Sequence, residues 1–250
     1  MRVFLSRELD TAQEESFRAL LDQDIHINIG LEPPEPPDYD VLVMGRPGQS
    51  MIHGNPSLKR LVIPWAGLPN VTKNLMGKYP HISVHNLHHN AQATAETALM
   101  LLFAAAKQII PIETAFREHD WRPRYEANPA MLLAGKTIVI LGFGQIGQRV
   151  GKICEALGME TIGIRRDSTA ESSINSHATI YPPDALAKLL PKANVLMVTL
   201  PHTPETENLI GAQEFNLLPE QSILVNVGRG VVIDQEALYT NLKNGKLHSA

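Results

Sequence analysis

Cysteine is all but missing. Cys154 is the single one in 250 residues, so no disulfide can form within the chain, and a reducing cytoplasm is the setting this composition points to. It lies in an apolar stretch with helical spacing, where a small buried hydrophobe is expected rather than a nucleophile. Long apolar runs are missing too. The longest, residues 98–106, is too short to span a bilayer, and the opening MRVFLSRELD has no signal-peptide core. Basic charge is not in excess: 22 Lys and Arg stand against 26 Asp and Glu, a net charge of −4. That removes the electrostatic argument for a nucleic-acid partner or an anionic membrane surface. Internal repeats and low-complexity segments are not seen. What remains, 44% hydrophobic and 19% charged residues, describes a globular chain with room for one large or two ordinary domains.

The most informative stretch is residues 135–151, GKTIVILGFGQIGQRVG. Residues 137–141 are an apolar run suited to a strand buried on both faces. Gly142-Phe-Gly-Gln-Ile-Gly147 follows at once, and residues 148–157 have helical spacing. Strand, glycine turn and helix is the context a dinucleotide fingerprint requires. Gly142 is expected to make the tight turn, Gly144 to let backbone approach a pyrophosphate, and Gly147 to let the helix pack on the strand. The helix start offers N–H groups and partial positive charge to the phosphates.

Upstream, short apolar runs at residues 2–5, 25–29, 41–44, 61–63 and 82–84 read as strands separated by helical or turn segments, including an amphipathic helix over 10–21 with Phe17, Leu20 and Leu21 apolar. Glu32-Pro-Pro-Glu-Pro-Pro37 must be a loop, since proline fixes φ and removes a donor. This alternation predicts a small α/β layer of its own. From Asn90 onward, Ala, Leu, Met and Glu predict one long helix over 91–110, ended by Pro111 and followed by an irregular stretch through Trp121 and Tyr125. The expected boundary falls inside that helix, near Thr97, giving domains 1–97 and 98–250. Downstream strands are expected at 161–164, 195–200 and 223–227, with helices over 184–190 and 236–244, the latter capped by Asp234. The fold class is α/β, with two Rossmann-like domains: a flavodoxin-like one, then a doubly wound parallel sheet.

Among charged residues Arg229 stands out, on a turn at the carboxyl end of a parallel strand and between Gly228 and Gly230. Ligands bind at that edge of open α/β sheets, and a guanidinium grips a carboxylate with two parallel hydrogen bonds. An ordinary loop arginine is the competing reading. Arg165 and Arg166 follow the second strand of the nucleotide fold. An acid at that place suits the ribose 2′-hydroxyl of NAD, whereas arginine suits the 2′-phosphate of NADP. A solvated turn is the alternative. His81, His85, His88 and His89 cluster without a clear metal geometry, so no metal site is assigned. His202 stands on a strand-end loop with no carboxylate evident as its partner.

The GFGQIG turn, LPHTPETENLIG at 200–211 and LVNVGRGVVIDQEAL at 224–238 together resemble the D-isomer-specific 2-hydroxyacid dehydrogenases, a family that includes glyoxylate/hydroxypyruvate reductases, phosphoglycerate dehydrogenases and formate dehydrogenases. NAQATAE at 90–96 is similar to the family's segment at the start of its interdomain helix, and the likeness spans about residues 60–250. The resemblance implies hydride transfer between a nicotinamide cofactor, NAD or NADP, and a small 2-oxo or 2-hydroxy acid, in a homodimer built around the long helix; it is Arg165 that favours NADP. It implies that Arg229 is the catalytic arginine, that Gln145 and Ile146 meet the pyrophosphate, and that Leu200, Pro201, Val227 and Gly228 give backbone contacts to the cofactor. Trp65, Ala66 and Gly67 match the substrate loop, whose amides meet the carboxylate. Pro69 stands where the family has an acidic residue, which leaves substrate choice open.

The family's acid–base histidine and its glutamate partner are expected beyond Ala250, which would make these residues a C-terminally shortened piece lacking the last strands of its sheet. Two other readings use the same fold: a non-catalytic NAD(H)-sensing, corepressor-like scaffold, and a hydrolase that uses bound NAD. The arginine at 229 favours the dehydrogenase.

Overall fold

Short apolar strands separated by helical segments can lie side by side in parallel only if the chain crosses back over the sheet each time. Both halves of this chain do so, and every strand pair among the described residues is parallel. The computed structural model describes residues 1–125, 130–167 and 177–250. They divide into two compact units, Met1–Asn90 and Ala91–Ala250.

The first unit contains strands β1 (Arg2–Ser6), β2 (His26–Gly30), β3 (Val41–Val43), β4 (Arg60–Ile63) and β5 (Ser83–Asn86), with helices α1 (Thr11–Ala19) and α2 (Asn70–Met76). The sheet order β2-β1-β3-β4-β5 is the flavodoxin-like one. Alternate residues face opposite ways. Phe4, Leu42, Leu61 and Ile63 enter one core with Tyr39 and Met76, while Val3, Ile27 and Val41 meet Phe17 and Leu21 on the other side. A reciprocal capping box between Asp10 and Gln13 starts α1. Leu20, grouped by its spacing with the apolar face of that helix, is instead exposed.

The second unit holds α3 (Ala91–Ala106), α4 (Ile109–Arg117), β6 (Thr137–Leu141), α5 (Gln145–Ala156), β7 (Glu160–Ile164), β8 (Thr179–Tyr181), α6 (Leu186–Leu189), β9 (Val195–Val198), α7 (Ala212–Leu217), β10 (Ser222–Asn226), α8 (Gln235–Lys243) and β11 (Leu247–Ser249). Its order is β11-β10-β9-β6-β7-β8. That is the doubly wound dinucleotide order, with its reversal between β6 and β9. All five residues of β6 are buried. Val139, Leu141, Leu196 and Val198 face Leu189, Phe215 and Leu238 from α6, α7 and α8. Ile138, Ile140, Val195 and Met197 face Ala98, Leu102, Val150 and Cys154 from α3 and α5. Burial drives the Cys154 thiol up to about 12.

Several elements differ from the sequence reading. The long helix ends at Ala106, not at Pro111. Gln108 takes a left-handed conformation at φ 52°, and α4 leaves at 64° to α3. Pro111 lies in the first turn of α4, where its missing N–H would have had no intrahelical partner. The stretch read as irregular after it is helical to Arg117. The units divide at Asn90 rather than near Thr97, because α3 buries Ala91, Ala95 and Ala98 as well as Leu102 within the second unit. Helix α5 starts at Gln145, earlier than residue 148, and β8 is a three-residue strand too short to show a period.

The fingerprint turn is held by its aromatic residue. Phe143 is 1% exposed. A Cβ at Gly163 on β7 would lie 2.5 Å from Phe143 Cγ, and one at Gly151 on α5 would lie 2.9 Å from Phe143 Cε2. The ring fills the space that two absent side chains leave, so strand, turn and helix are locked by one residue. Gly163→Ala should therefore destabilise the chain by about 1–3 kcal/mol through overpacking, although alanine is normally the better strand residue. Urea unfolding of the parent, Gly163→Ala and Gly163→Ala/Phe143→Leu checks this: the smaller side chain at 143 should recover part of the loss.

Candidate functional site

The carboxyl edge of the second sheet is built around Gly142, which leaves β6 at φ +102°, a conformation that favours glycine. The Gly142 and Phe143 N–H groups donate to the Ile164 carbonyl at 3.0 and 2.9 Å, turning the chain onto the end of β7. Thr199 Oγ1 donates to the Gly142 carbonyl at 2.6 Å, which fixes the turn to the end of β9. A Cβ at Gly147 would sit 2.7 Å from that same carbonyl, so α5 can approach only with glycine there. Gly144 precedes the first residue of α5, is exposed, and would point a Cβ into open space. Gln145 and Ile146 open the helix and are half-buried. Arg149, one turn on, donates from Nη1 to the Gln145 carbonyl (2.6 Å) and side-chain oxygen (2.8 Å). Its i, i+4 spacing from Gln145 was the available signal for that clamp.

Beside the turn lies a cavity of about 510 Å³ lined by Leu141, Ile164, Arg165, Arg166, Leu200 and Pro201, among others. The structure thus brings together the fingerprint strand, both arginines and the 200–201 pair. Arg165 Nε is buried and has no hydrogen-bond partner among the described residues. Arg166 is exposed. The loop after Pro201 is tied by Thr206, whose Oγ1 donates to the Pro201 carbonyl at 2.8 Å and accepts from the Thr203 N–H at 2.8 Å. That turn carries Glu207 back to His202, with Nε2 and Oε2 3.4 Å apart. His202 therefore does have a carboxylate neighbour, contrary to the sequence reading. The pair is largely exposed to solvent.

At the end of β10, Val227 N–H donates to the Val198 carbonyl at 3.0 Å. The side chain of Asn226 closes the next turn from both sides: Oδ1 accepts from the Gly228 N–H at 2.9 Å and Nδ2 donates to the Arg229 carbonyl at 3.1 Å. Asn226 was not singled out in the sequence, where it looks like the last polar residue of a strand. Gly228 is pressed against the neighbouring loop, since a Cβ there would lie 2.5 Å from the Leu200 carbonyl oxygen. Gly230 is different: nothing lies within 4 Å of its Cβ direction. The two glycines flanking Arg229 were read as one signal of a ligand site, but only Gly228 is demanded by space. Arg229 is exposed, and its Nη1 donates to the Gly228 carbonyl at 3.0 Å.

The loop Trp65-Ala66-Gly67 follows β4 in the first unit and is described within that unit alone. Asn86 Nδ2 donates to the Ala66 carbonyl at 2.6 Å, and Leu87 N–H donates to the Trp65 carbonyl at 3.3 Å. Of the clustered histidines, His85 Nε2 is 3.2 Å from Ser83 Oγ on β5. Among the described residues no single helix is long and apolar enough to cross a membrane.

An open parallel sheet, reversed between β6 and β9 and carrying a glycine turn and a helix start at that reversal, defines a Rossmann-type dinucleotide-binding fold. Residues 99–250 match the family profile described as D-isomer specific 2-hydroxyacid dehydrogenase, NAD binding domain, and the chain belongs to that family. A glycerate dehydrogenase of Methylorubrum extorquens is 30% identical over 203 residues, covering 78% of this chain and 60% of its own length. A glyoxylate reductase of Thermococcus gammatolerans is 36% identical over 163 residues, covering 63% of this chain and 48% of its own. The chain thus spans about half to three-fifths of the length of these relatives. Among solved structures, a D-isomer specific 2-hydroxyacid dehydrogenase from Xanthobacter autotrophicus Py2, in complex with NADPH and MES, superposes with a TM-score of 0.77 at 22% identity over 98% of this chain and 78% of that one. A glyoxylate reductase from Paecilomyes thermophila gives 0.74 at 22% identity, over 100% and 80%. At that identity the likeness shows the fold.

The contrast between the glycines beside Arg229 can be measured. Gly228→Ala should cost about 1–3 kcal/mol, because the obstructing atoms are backbone and cannot swing away. Gly230→Ala should leave stability unchanged or raise it by about 0.4–1 kcal/mol, through the entropy of the unfolded chain. Urea unfolding of the two variants side by side separates these outcomes.

Proposed function

We propose that this chain acts as a nicotinamide-dependent oxidoreductase on small 2-oxo and 2-hydroxy acids, in the direction of 2-oxo-acid reduction and with NADP(H) preferred. The observation that carries the proposal is the presentation of Arg229. Asn226 fixes the turn from within and Leu200 backs it through Gly228, so an exposed guanidinium is held at the carboxyl edge of β10. Such a group can hold a carboxylate and draw electron density from an adjacent keto oxygen. In this reading the amides of the Trp65-Ala66-Gly67 loop, within the first unit, are carboxylate-binding donors.

The residues present fit a dinucleotide. Open space at Gly144 admits a pyrophosphate to the start of α5, at Gln145 and Ile146, with Gly142 and Gly147 shaping the turn. Leu200, Pro201, Val227 and Gly228 supply backbone along the same edge. The orphaned Nε of Arg165, with Arg166 beside it, suits a ribose 2′-phosphate better than a hydroxyl. The bound nicotinamide would supply the hydride; the chain's own part is to orient the acid and polarise it. Exposed apolar side chains on α3 and α4, among them Met100, Ile110 and Phe116, support a homodimer through these helices. The single buried thiol suits the cytoplasm.

Steady-state assays with glyoxylate, hydroxypyruvate, pyruvate and phenylpyruvate, each with NADH and NADPH, test the activity directly; turnover of none of them overturns it. For the cofactor, Arg165→Asp should weaken NADPH about tenfold to a hundredfold, the loss of one charge-assisted contact of about 1.5–3 kcal/mol, and should leave NADH far less affected. Equal affinity of the parent for both cofactors would sink that preference.

Arg229→Lys keeps the charge and loses the planar fork. It should raise KM and lower kcat for any 2-oxo acid while cofactor affinity, read by NADPH fluorescence, stays near the parent value. Unchanged kcat/KM in the lysine variant would make Arg229 structural.

A further inference from the structure

Trp65, in the first unit, has a placement that the packing of the core does not explain. Gly45 follows β3 and Trp65 follows β4, and parallel pairing brings both to the same edge of the sheet. A Cβ at Gly45 would lie 1.9 Å from Trp65 Cη2 and 2.0 Å from Cζ2. The six-membered ring therefore rests on bare backbone, and Gly45, which has no positive φ to justify it, is glycine because the ring is there. The seat is firm: the Gly45 carbonyl accepts a 2.8 Å hydrogen bond from the buried hydroxyl of Thr72. The loop is held as well, through the Ala66 and Trp65 carbonyls. Yet Trp65 keeps 42% of its surface exposed, and Leu68 and Leu87, close along the same edge, keep 39% and 41%. The strand order reverses between β1 and β3, so the indole leans from the β4 loop towards the side of the sheet where open α/β folds take ligands.

An indole bedded on one side and open on the other, with Leu68 and Leu87 exposed along the same edge, forms the kind of apolar surface that marks a binding site. We infer that Trp65, seated on Gly45, is the specificity wall of the substrate loop, and that it favours 2-oxo acids with a branched or aromatic apolar side chain over glyoxylate. The inference rests on the reading of residues 65–67 as the carboxylate loop. A carboxylate received by that loop places the rest of the acid beside the indole. An isobutyl or benzyl group there buries apolar surface on both partners, which the hydrogen of glyoxylate cannot do.

The test uses Trp121→Phe, which leaves Trp65 as the sole indole of a chain with two tryptophans. It is titrated with 4-methyl-2-oxopentanoate and with glyoxylate in the presence of NADP⁺, so that binding is read without turnover. Trp65 emission should change with both acids, with half-saturation about tenfold or more lower for the branched one. By calorimetry, Trp65→Ala should still bind glyoxylate but lose the branched-acid advantage. Gly45→Ala should expel the ring, seen as a red shift of the remaining indole, and lose the advantage likewise. Equal half-saturation for the two acids in the parent, or an advantage retained in Trp65→Ala, overturns the wall and leaves the carboxylate loop standing. Binding of neither acid overturns both.

Discussion

One aromatic ring holds the nucleotide unit in register. Phe143 lies in the fingerprint turn and occupies the space of two missing side chains, at Gly151 on α5 and Gly163 on β7. The turn is thereby pressed against β7, which lets the Gly142 and Phe143 N–H groups share the Ile164 carbonyl. The next N–H, that of Gly144, donates to the Gly142 carbonyl at 2.7 Å, so the donors of the turn itself are committed before α5 begins. The open space at Gly144 and the lining of the neighbouring cavity by Ile164 and Arg165 both follow from that arrangement. Close packing in such a layer transmits a misfit rather than absorbing it, so residues that no ligand touches set the shape of the surface a ligand would meet.

The same device recurs at the other loops of the site. Gly228 meets the Leu200 backbone as Gly147 meets that of Gly142, each replacing a side chain by a main-chain contact. Two neighbouring strand ends are joined in this way, and Asn226 then sets the direction in which the chain leaves. Arg229 is presented by main-chain geometry more than by contacts of its own. In the first unit the arrangement is inverted: Gly45 yields space to a half-exposed indole rather than to backbone.

Much of this was legible beforehand, and the reasons are specific. Buried β6 announces itself as an unbroken apolar run, and the glycine turn after it, weak as a spacing alone, gains its meaning from lying between that strand and a helix. The strand alternation upstream was enough for the first sheet, whereas in the second it passed over β8, three residues long. What escaped the sequence depended on partners distant in the chain. Phe143 reads as a filler between glycines until Gly163 is placed beside it. Asn226 and Thr199 look like strand-end polar residues until their acceptors are known. The break at Gln108 escaped because glutamine is a good helix former and Pro111 offered a more obvious stop. The carboxylate beside His202 depended on a turn made by Thr206. Local propensity carries the elements; the clasps between them are long-range facts.

Cys154 has a kinetic meaning beyond its packing. It is the only thiol of the chain, fully buried between α5 and the sheet, and its ionisation lies far above neutral pH. A closed molecule at neutral pH thus holds almost no thiolate, and thiol exchange must wait until α5 lifts from β6 or the whole unit opens. When labelling outpaces reclosing, its rate is an opening rate, counted one event per molecule. Cys154 thus gives the dinucleotide unit a built-in clock for its own breathing, readable by mass without an engineered thiol.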